Sequence, residues 1–334
     1  MGHEDLYNLE QRMTLPFPRN HFPTACDEFS GFTNGFVNLV SIFAYVRYPT
    51  AMLTPSAIPE LSLLITDFCI ACMHPFSGLS AIKNIWVWGP YGCQLYAFTG
   101  FFFGNYQCLA IPFIAYDRYN VATTSQHINK NRSIRNYFQI LLLLMAFSFC
   151  FSVMPLVGWG RYGLLPTQVT CTIDWTFDSP SYYSYITALA IFLYILPFCA
   201  AAYLYSKTMS HVTTNKLLVH WAASGNEKTV LAGCLFSTYI AFSGFGTACV
   251  LPFFMNARSM HKIIHVIPAP MAKLAGSFNA LFYVWLNPHY KETICRIFRC
   301  SKRENVVIKY NTREDVKEEE KLIRINTEVD EQEK

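Results

Sequence analysis

Lys273 is the residue with the clearest chemistry in this chain. It sits in PAPMAKLAGSFNALFYVWL, a stretch with no other charged residue. Fifteen residues separate it from Pro288, about 22 Å of helix at a rise of about 1.5 Å per residue. In a hydrocarbon core about 30 Å thick, that depth puts the amine beyond easy escape to water, which long side chains manage near helix ends. A lysine buried there costs several kcal/mol and marks function by default. An amine kept from water is a nucleophile that adds to an aldehyde to give a Schiff base. The structural alternative is a lysine neutralised by a buried carboxylate. Two further sites carry charge at informative places. Asp67, in LSLLITDFCI, is deep in an apolar run and needs a polar neighbour, an ion or water, with Asn279 a candidate partner. Asp117-Arg118-Tyr119 ends another run. Arg118 lies twenty-five residues after Cys93, about 37 Å of helix, which suits marks at opposite ends of one tilted span.

The elements that must position these residues are seven apolar stretches: Phe29–Val46, Ala57–Leu79, Cys93–Tyr116, Tyr137–Val157, Ser184–Tyr205, Thr229–Met255 and Ile267–Leu286. Of the 334 residues, 14% are charged, against about a quarter in soluble domains. Much of the surface therefore faces lipid. The fold class expected is an all-α membrane protein, a seven-transmembrane helix bundle at 29–286 with a short amphipathic cytoplasmic helix at 287–300. Residues 1–28 form an extracellular N-terminus without the apolar core of a cleavable signal. Residues 301–334 form a charged, disordered cytoplasmic tail. Basic residues favour one set of connections: Arg47, Lys130, Arg132, Arg135, Lys207, Lys216, Lys228 and the cluster from Lys291 to Arg303. That side is the cytoplasm, so the N-terminus lies outside and the C-terminus inside. A net charge of +4 leaves no footprint for nucleic acid. Of twelve cysteines most lie in apolar runs as small core residues, and Cys295 and Cys300, beside the membrane, are candidates for acylation. Pro197 is a tolerated membrane kink, and Pro112 should kink the third span near Arg118.

Cys93 and Cys171 stand apart in polar, turn-rich segments, WVWGPYGC and TCTIDW. Both fall outside the cell by the charge rule, where disulfides persist. A bridge between them would draw the loop after the fourth span over the outer half of the bundle, where Lys273 lies.

These residues together resemble the opsins, a branch of the rhodopsin-like G-protein-coupled receptors. The resemblance covers Asn38 to Cys300. It rests on LTPS, LSLLITD, WGPYGC, DRY, MPLVGWGRY, TCTIDW and Lys273. Within that family the chain is most similar to retinochrome and the retinal G-protein-coupled-receptor type, which share the loop pattern and altered signalling motifs. FSGFG, Phe242 to Gly246, carries the likeness to retinochrome. The resemblance implies retinal as a covalent Schiff base on Lys273, and a photoisomerase that converts all-trans-retinal to the 11-cis form in photoreceptor cells. It implies a Cys93–Cys171 disulfide and a cytoplasmic switch at Asp117, Arg118 and Tyr119. Gly104 makes room for the retinal ring, and Phe242 stands where a tryptophan usually packs on the polyene. Implied partners are retinal, a retinoid-binding carrier protein, membrane lipid and, for a signalling relative, a heterotrimeric G protein.

Departures from the family pattern set the alternatives. The motif ending span seven is Asn279-Ala280-Leu281-Phe282-Tyr283, the span-six proline is Gly244, and the acid that faces the DRY arginine aligns near Ser224. The positions where opsins place a counterion carboxylate are Tyr96 and Leu165, so neither supplies a charge. His74 aligns near the Schiff-base region, and the reach of Asp174 is open. The expected chromophore is therefore weakly protonated or neutral and absorbs in the ultraviolet or violet. The competing functions are a light-activated receptor coupled to a G protein and a receptor for a soluble, non-retinoid ligand.

Overall fold

The computed structural model describes residues 21–49, 54–123, 133–214, 227–266 and 268–286. The side chains of 21–30, 212–214, 227–232, 234–236, 258, 262, 266, 269 and 281–286 are outside that description. The chain divides into two compact units, Met1–Ile294 and Cys295–Lys334, and everything described lies in the first. The expected helix at 287–300, the tail, residues 1–20, Ser224, Cys295 and Cys300 fall outside the described residues.

Each of the seven apolar stretches is helical. Span one is His21–Arg47. Span two comes in two pieces, Ala57–Ala71 and His74–Lys83, joined by a turn at Cys72 and Met73. Span three is Gly89–Thr123. Span four is Ile134–Val153 with a 3-10 turn, Met154–Leu156. Span five runs Pro180–Leu189, then a π-helical Ala190–Ile195, then Leu196–Thr214. Span six is Glu227–Val250 and span seven Pro268–Leu286. Spans four and five begin before their apolar cores, where a serine caps each. Ser133 Oγ accepts from the Asn136 N–H at 3.2 Å, and Ser179 Oγ accepts from that of Tyr182 at 3.2 Å. Pro180 at the first helical position suits the second cap, since its missing N–H would have no partner there.

Among the described residues, Ala57–Lys83, Ile134–Leu156 and Pro180–His211 are long and apolar enough by themselves to cross a membrane. The other spans are diluted by polar residues that the fold turns inward. Asn34, Asn38 and Ser41 of span one, Gln107 of span three, Thr238 of span six and Asn279 of span seven are all buried. Asp67 sits among them. Gln107 Nε2 donates to its Oδ1 at 2.5 Å and Asn279 Nδ2 to its Oδ2 at 3.5 Å. Asn279 Oδ1 in turn accepts from Ser237 and Thr238, each at 3.1 Å. Span seven closes on this cluster through Gly276, where a Cβ would lie 2.5 Å from Asp67 Oδ1. Only glycine allows that approach.

Pro112 and Pro197, both well inside their spans, each release a carbonyl, and the bundle uses each differently. Pro197 cannot donate to the carbonyl of Leu193, and the helix just before it widens into the π turn. Pro112 leaves span three helical from Gly89 to Thr123, so the expected kink is not a break. It cannot donate to the carbonyl of Cys108, four residues earlier. Tyr239 of span six donates its hydroxyl to that carbonyl at 2.8 Å. Tyr194 of span five donates to the Tyr239 carbonyl at 2.8 Å. A proline in one helix thus creates the acceptor that ties a second helix to it.

Candidate functional site

Span seven carries Lys273 into the side of a cavity of about 550 Å³. Pockets that enclose small organic ligands run about 300–1,000 Å³. Its wall is mostly apolar or aromatic, with Tyr96, Phe101, Phe242 and Phe245 among the larger groups. Gly100 and Gly246 also line it, and a Cβ at either would meet nothing within 4 Å. Those two glycines leave room. Gly104 does something else: a Cβ there would lie 3.2 Å from the Phe242 ring. The missing side chain lets Phe242 of span six rest on span three. Ile195, Ser243, Thr247 and Phe254, where spans five and six border the cavity, are wall residues that are also exposed on the outside of the bundle.

The Lys273 amine is held between two spans. Nζ donates to Ser77 Oγ of span two at 3.0 Å and stands 5.8 Å from the Tyr96 ring centroid of span three. Sequence reasoning named Tyr96 and missed Ser77. The signal available was a hydroxyl in an apolar run, one helical turn after His74. His74 itself is buried, with Nδ1 3.1 Å from the Ala71 carbonyl of its own helix.

A two-stranded lid closes the outer end of the bundle, the end that the charge rule places outside. Strands β1, Tyr162–Leu164, and β2, Cys171–Ile173, pair antiparallel, with Leu164 opposite Cys171. Cys93 and Cys171 are joined as a disulfide, as the sequence suggested. Thr170, Cys171 and Thr172 form the lid's part of the wall. Leu165 is not one of the wall residues: it lies in the turn after β1, buried in the core that also holds Tyr96 and Cys93. Its backbone N–H donates to the Thr170 carbonyl at 3.0 Å, which closes the turn between the strands. Further bonds tie the lid to every side. Gln94 Nε2 donates to the Tyr162 carbonyl at 3.0 Å, Tyr162 Oη donates to that of Ser152 at 2.8 Å, and Trp175 Nε1 donates to His265 Nδ1 at 3.0 Å. Burial holds the His265 imidazole below its ordinary pKa, against a smaller opposite effect from the Ala257 backbone. A neutral ring is what the Trp175 bond needs. Burial pushes the Tyr162 phenol well up, so it stays a donor.

Asp174, the acid nearest Cys171 in sequence, is committed elsewhere. Its Oδ2 accepts from Arg161 Nε at 2.7 Å and Nη2 at 2.5 Å. Its Oδ1 accepts from the Thr176 N–H and hydroxyl at 2.9 and 2.5 Å. The guanidinium lies 4.2 Å over the Phe177 ring.

Residues 37–289 match the 7 transmembrane receptor (rhodopsin family) profile. The chain belongs to that family. Retinochrome of Todarodes pacificus is 32% identical over 232 residues, 67% of this chain and 76% of that protein. The visual pigment-like receptor peropsin of Mus musculus is 23% identical over 279 residues, 81% of this chain and 82% of that protein. The crystal structure of squid rhodopsin superposes with a TM-score of 0.78 at 18% identity, over 91% of this chain and 92% of that one. This rhodopsin-family receptor is a multi-pass membrane protein, and its similarities run to opsins.

The receptor's inner end departs from what the tripeptide alone suggests. Asp117, Arg118 and Tyr119 sit together near the end of span three, but Asp117 and Arg118 have partners in other spans. Arg118 Nη2 forms an ion pair with Glu60 of span two, and Tyr137 of span four donates its hydroxyl to Asp117. Glu60 was missed by the sequence reading. It lies seven residues before Asp67, two helical turns along one face of span two, and that spacing was the available signal. Asn279 reaches Asp67 as expected, while the side chain of Tyr283 lies outside the described residues.

Proposed function

We propose that this receptor binds retinal covalently at Lys273 as a Schiff base and acts as a retinochrome-like photoisomerase, converting the all-trans to the 11-cis form. One observation carries the proposal: a lysine amine in the wall of an apolar cavity inside the bundle, under a disulfide-bonded lid. The likeness to retinochrome, a protein so named, supports the same reading. Retinal supplies the light-absorbing double bond that rotates. The chain supplies the rest. Phe101, Phe242 and Phe245 give aromatic surface against a polyene, Gly100 and Gly246 leave space for a chain that changes shape, and the disulfide-bonded lid keeps water from the linkage.

A photoisomerase needs retinal exchange with a carrier and does not need a G-protein switch. The ion pair of Arg118 with Glu60, within the bundle, favours this reading over the light-activated receptor that the family also contains. The same proposal places the protein in a photoreceptor-cell membrane with its N-terminus outside. It also gives a colour. Tyr96 and Leu165 stand where opsins carry an acid and Asp174 is neutralised by Arg161, so absorption falls in the violet or ultraviolet. A maximum in the green that disappears in Asp174→Asn overturns that part.

The deciding experiment purifies the empty protein, adds all-trans- or 11-cis-retinal, records spectra, illuminates, and analyses the isomers. Covalent uptake fixed by borohydride on Lys273, with 11-cis-retinal accumulating in light, is the expected result. Uptake undiminished in Lys273→Ala, or no uptake by the native chain, overturns it. A light-dependent rise in nucleotide exchange on a G protein, with no net isomer production, would establish the receptor reading instead.

A further inference from the structure

We propose that Ser77 is a positioning residue for the Lys273 amine, holding its nitrogen in the direction from which it meets an aldehyde. The inference deepens the retinal reading and rests on it. A lysine nitrogen ends a flexible four-carbon stem, so its direction has to come from a contact. Here Nζ donates to Ser77 Oγ at 3.0 Å. The Ser77 hydroxyl donates in turn to the His74 carbonyl at 3.1 Å, so toward the amine it acts as an acceptor. A membrane serine that bonds only the carbonyl one turn back is commonplace; the second bond, across to span seven, is what distinguishes this one. The platform is firm. Ser77 is buried, and Pro75 stands in the first turn of its helix piece. On the other side the amine faces the Tyr96 ring.

Ser77 is not among the wall residues of the cavity, whereas Lys273 and Tyr96 are. It stands behind the nitrogen. Changing it therefore alters the direction of the amine and leaves the shape of the cavity alone. The hydroxyl also suits either state of the nitrogen, accepting from an N–H or turning to donate to a lone pair. Attachment joins Nζ to the aldehyde carbon as C=N, and the aldehyde oxygen leaves as water with the two protons of the neutral amine. A long rigid aldehyde confined in a cavity depends on where the nitrogen points, because misdirection by about an ångström costs large factors in rate. A small aldehyde that arrives from any side does not.

The test compares two aldehydes on the purified full chain. In the first arm all-trans-retinal is added, borohydride stops the reaction at timed intervals, and the peptide carrying Lys273 is quantified by mass spectrometry. Ser77→Ala should leave the half-saturating retinal concentration within about twofold and slow attachment at saturation by about tenfold. Ser77→Thr keeps the hydroxyl and should recover most of the rate. In the second arm the empty protein is methylated with formaldehyde and cyanoborohydride. Lys273 in Ser77→Ala should react about fivefold faster, because its charged form has lost an acceptor worth about 1 kcal/mol. Opposite signs with the two aldehydes are not produced by general misfolding. Equal rates in both arms, or a threonine variant no better than alanine, overturn the inference. If the native chain takes up no retinal, the photoisomerase reading falls, and unchanged methylation of Lys273 would then remove Ser77 as well.

Discussion

The outer and inner halves of this bundle use polar groups in different ways. In the outer half, strong donors are turned onto backbone carbonyls or into the lid. Tyr162 reaches Ser152, Tyr182 reaches the Cys249 carbonyl at 2.7 Å, and Tyr185 reaches that of Phe151 at 3.2 Å. A disulfide and the Arg161–Asp174 pair lie at its rim. The result is a lidded cavity with the Lys273 amine in its wall. In the inner half, charged side chains find partners across spans, with Glu60 on Arg118 and the Tyr137 hydroxyl on Asp117. The outer half matches what retinal capture needs. The inner half carries the letters of a receptor switch in a different wiring. Pocket and switch can diverge separately on one fold because they touch different ends of the same helices.

The comparison can be broken first at the lid. Cys93→Ala removes a bridge between residues 78 apart in sequence, and loss of a native disulfide typically costs about 2–5 kcal/mol. The expected outcome is a melting temperature lower by many degrees together with loss of retinal retention. Full retention would mean that strand pairing and Tyr162 hold the lid unaided. Glu60→Gln should come next, at up to about 3 kcal/mol, since it leaves a largely buried guanidinium without its carboxylate. Its effect should appear in thermal stability and leave retinal attachment unchanged. A parallel loss of attachment would show that the two halves are coupled.

A smaller effect sharpens the boundary between them. Tyr239→Phe deletes the hydroxyl on the Cys108 carbonyl and should cost about 1 kcal/mol. In a Pro112→Ala background the helix satisfies that carbonyl itself, and the same change should cost less. A double-mutant cycle measures the difference, and strictly additive effects would reject the account of Pro112. The smallest effect is a pH dependence in the outer half. His265 has its folded pKa below the unfolded value of about 6.5, so at lower pH the unfolded chain binds the proton that the folded one refuses. This contribution is complete above that value and is lost as pH falls toward the folded pKa. Melting scans from about pH 7.5 down to about pH 5 should show a steeper decline for the native chain than for His265→Gln.

Much of this was legible in the sequence. Seven apolar runs gave seven spans, because a backbone in lipid has to satisfy itself and helices do so. The depth of Lys273 followed from counting residues, and the two polar-flanked cysteines stood out from those in apolar runs. Asp67 and Asn279 were paired on chemical grounds and do meet. Asp174 was left open, and the fold gave it to Arg161 thirteen residues away, across the base of the hairpin. Leu165 was matched to an opsin counterion position, and the fold buries it in the core beside Tyr96 and Cys93.

What the sequence by itself determined is therefore how many helices there are, how deep each special residue lies, and which groups could not be left alone. Which groups meet was decided by tertiary structure. Ser77 behind Lys273, Glu60 on Arg118 and Tyr239 on the carbonyl freed by Pro112 join residues 196, 58 and 131 apart. Such meetings depend on the rotation of each helix about its axis. A span apolar on nearly every side carries little periodicity to reveal that rotation. In lipid it is fixed by close packing and by polar contacts between helices, both of which exist only once the bundle has formed.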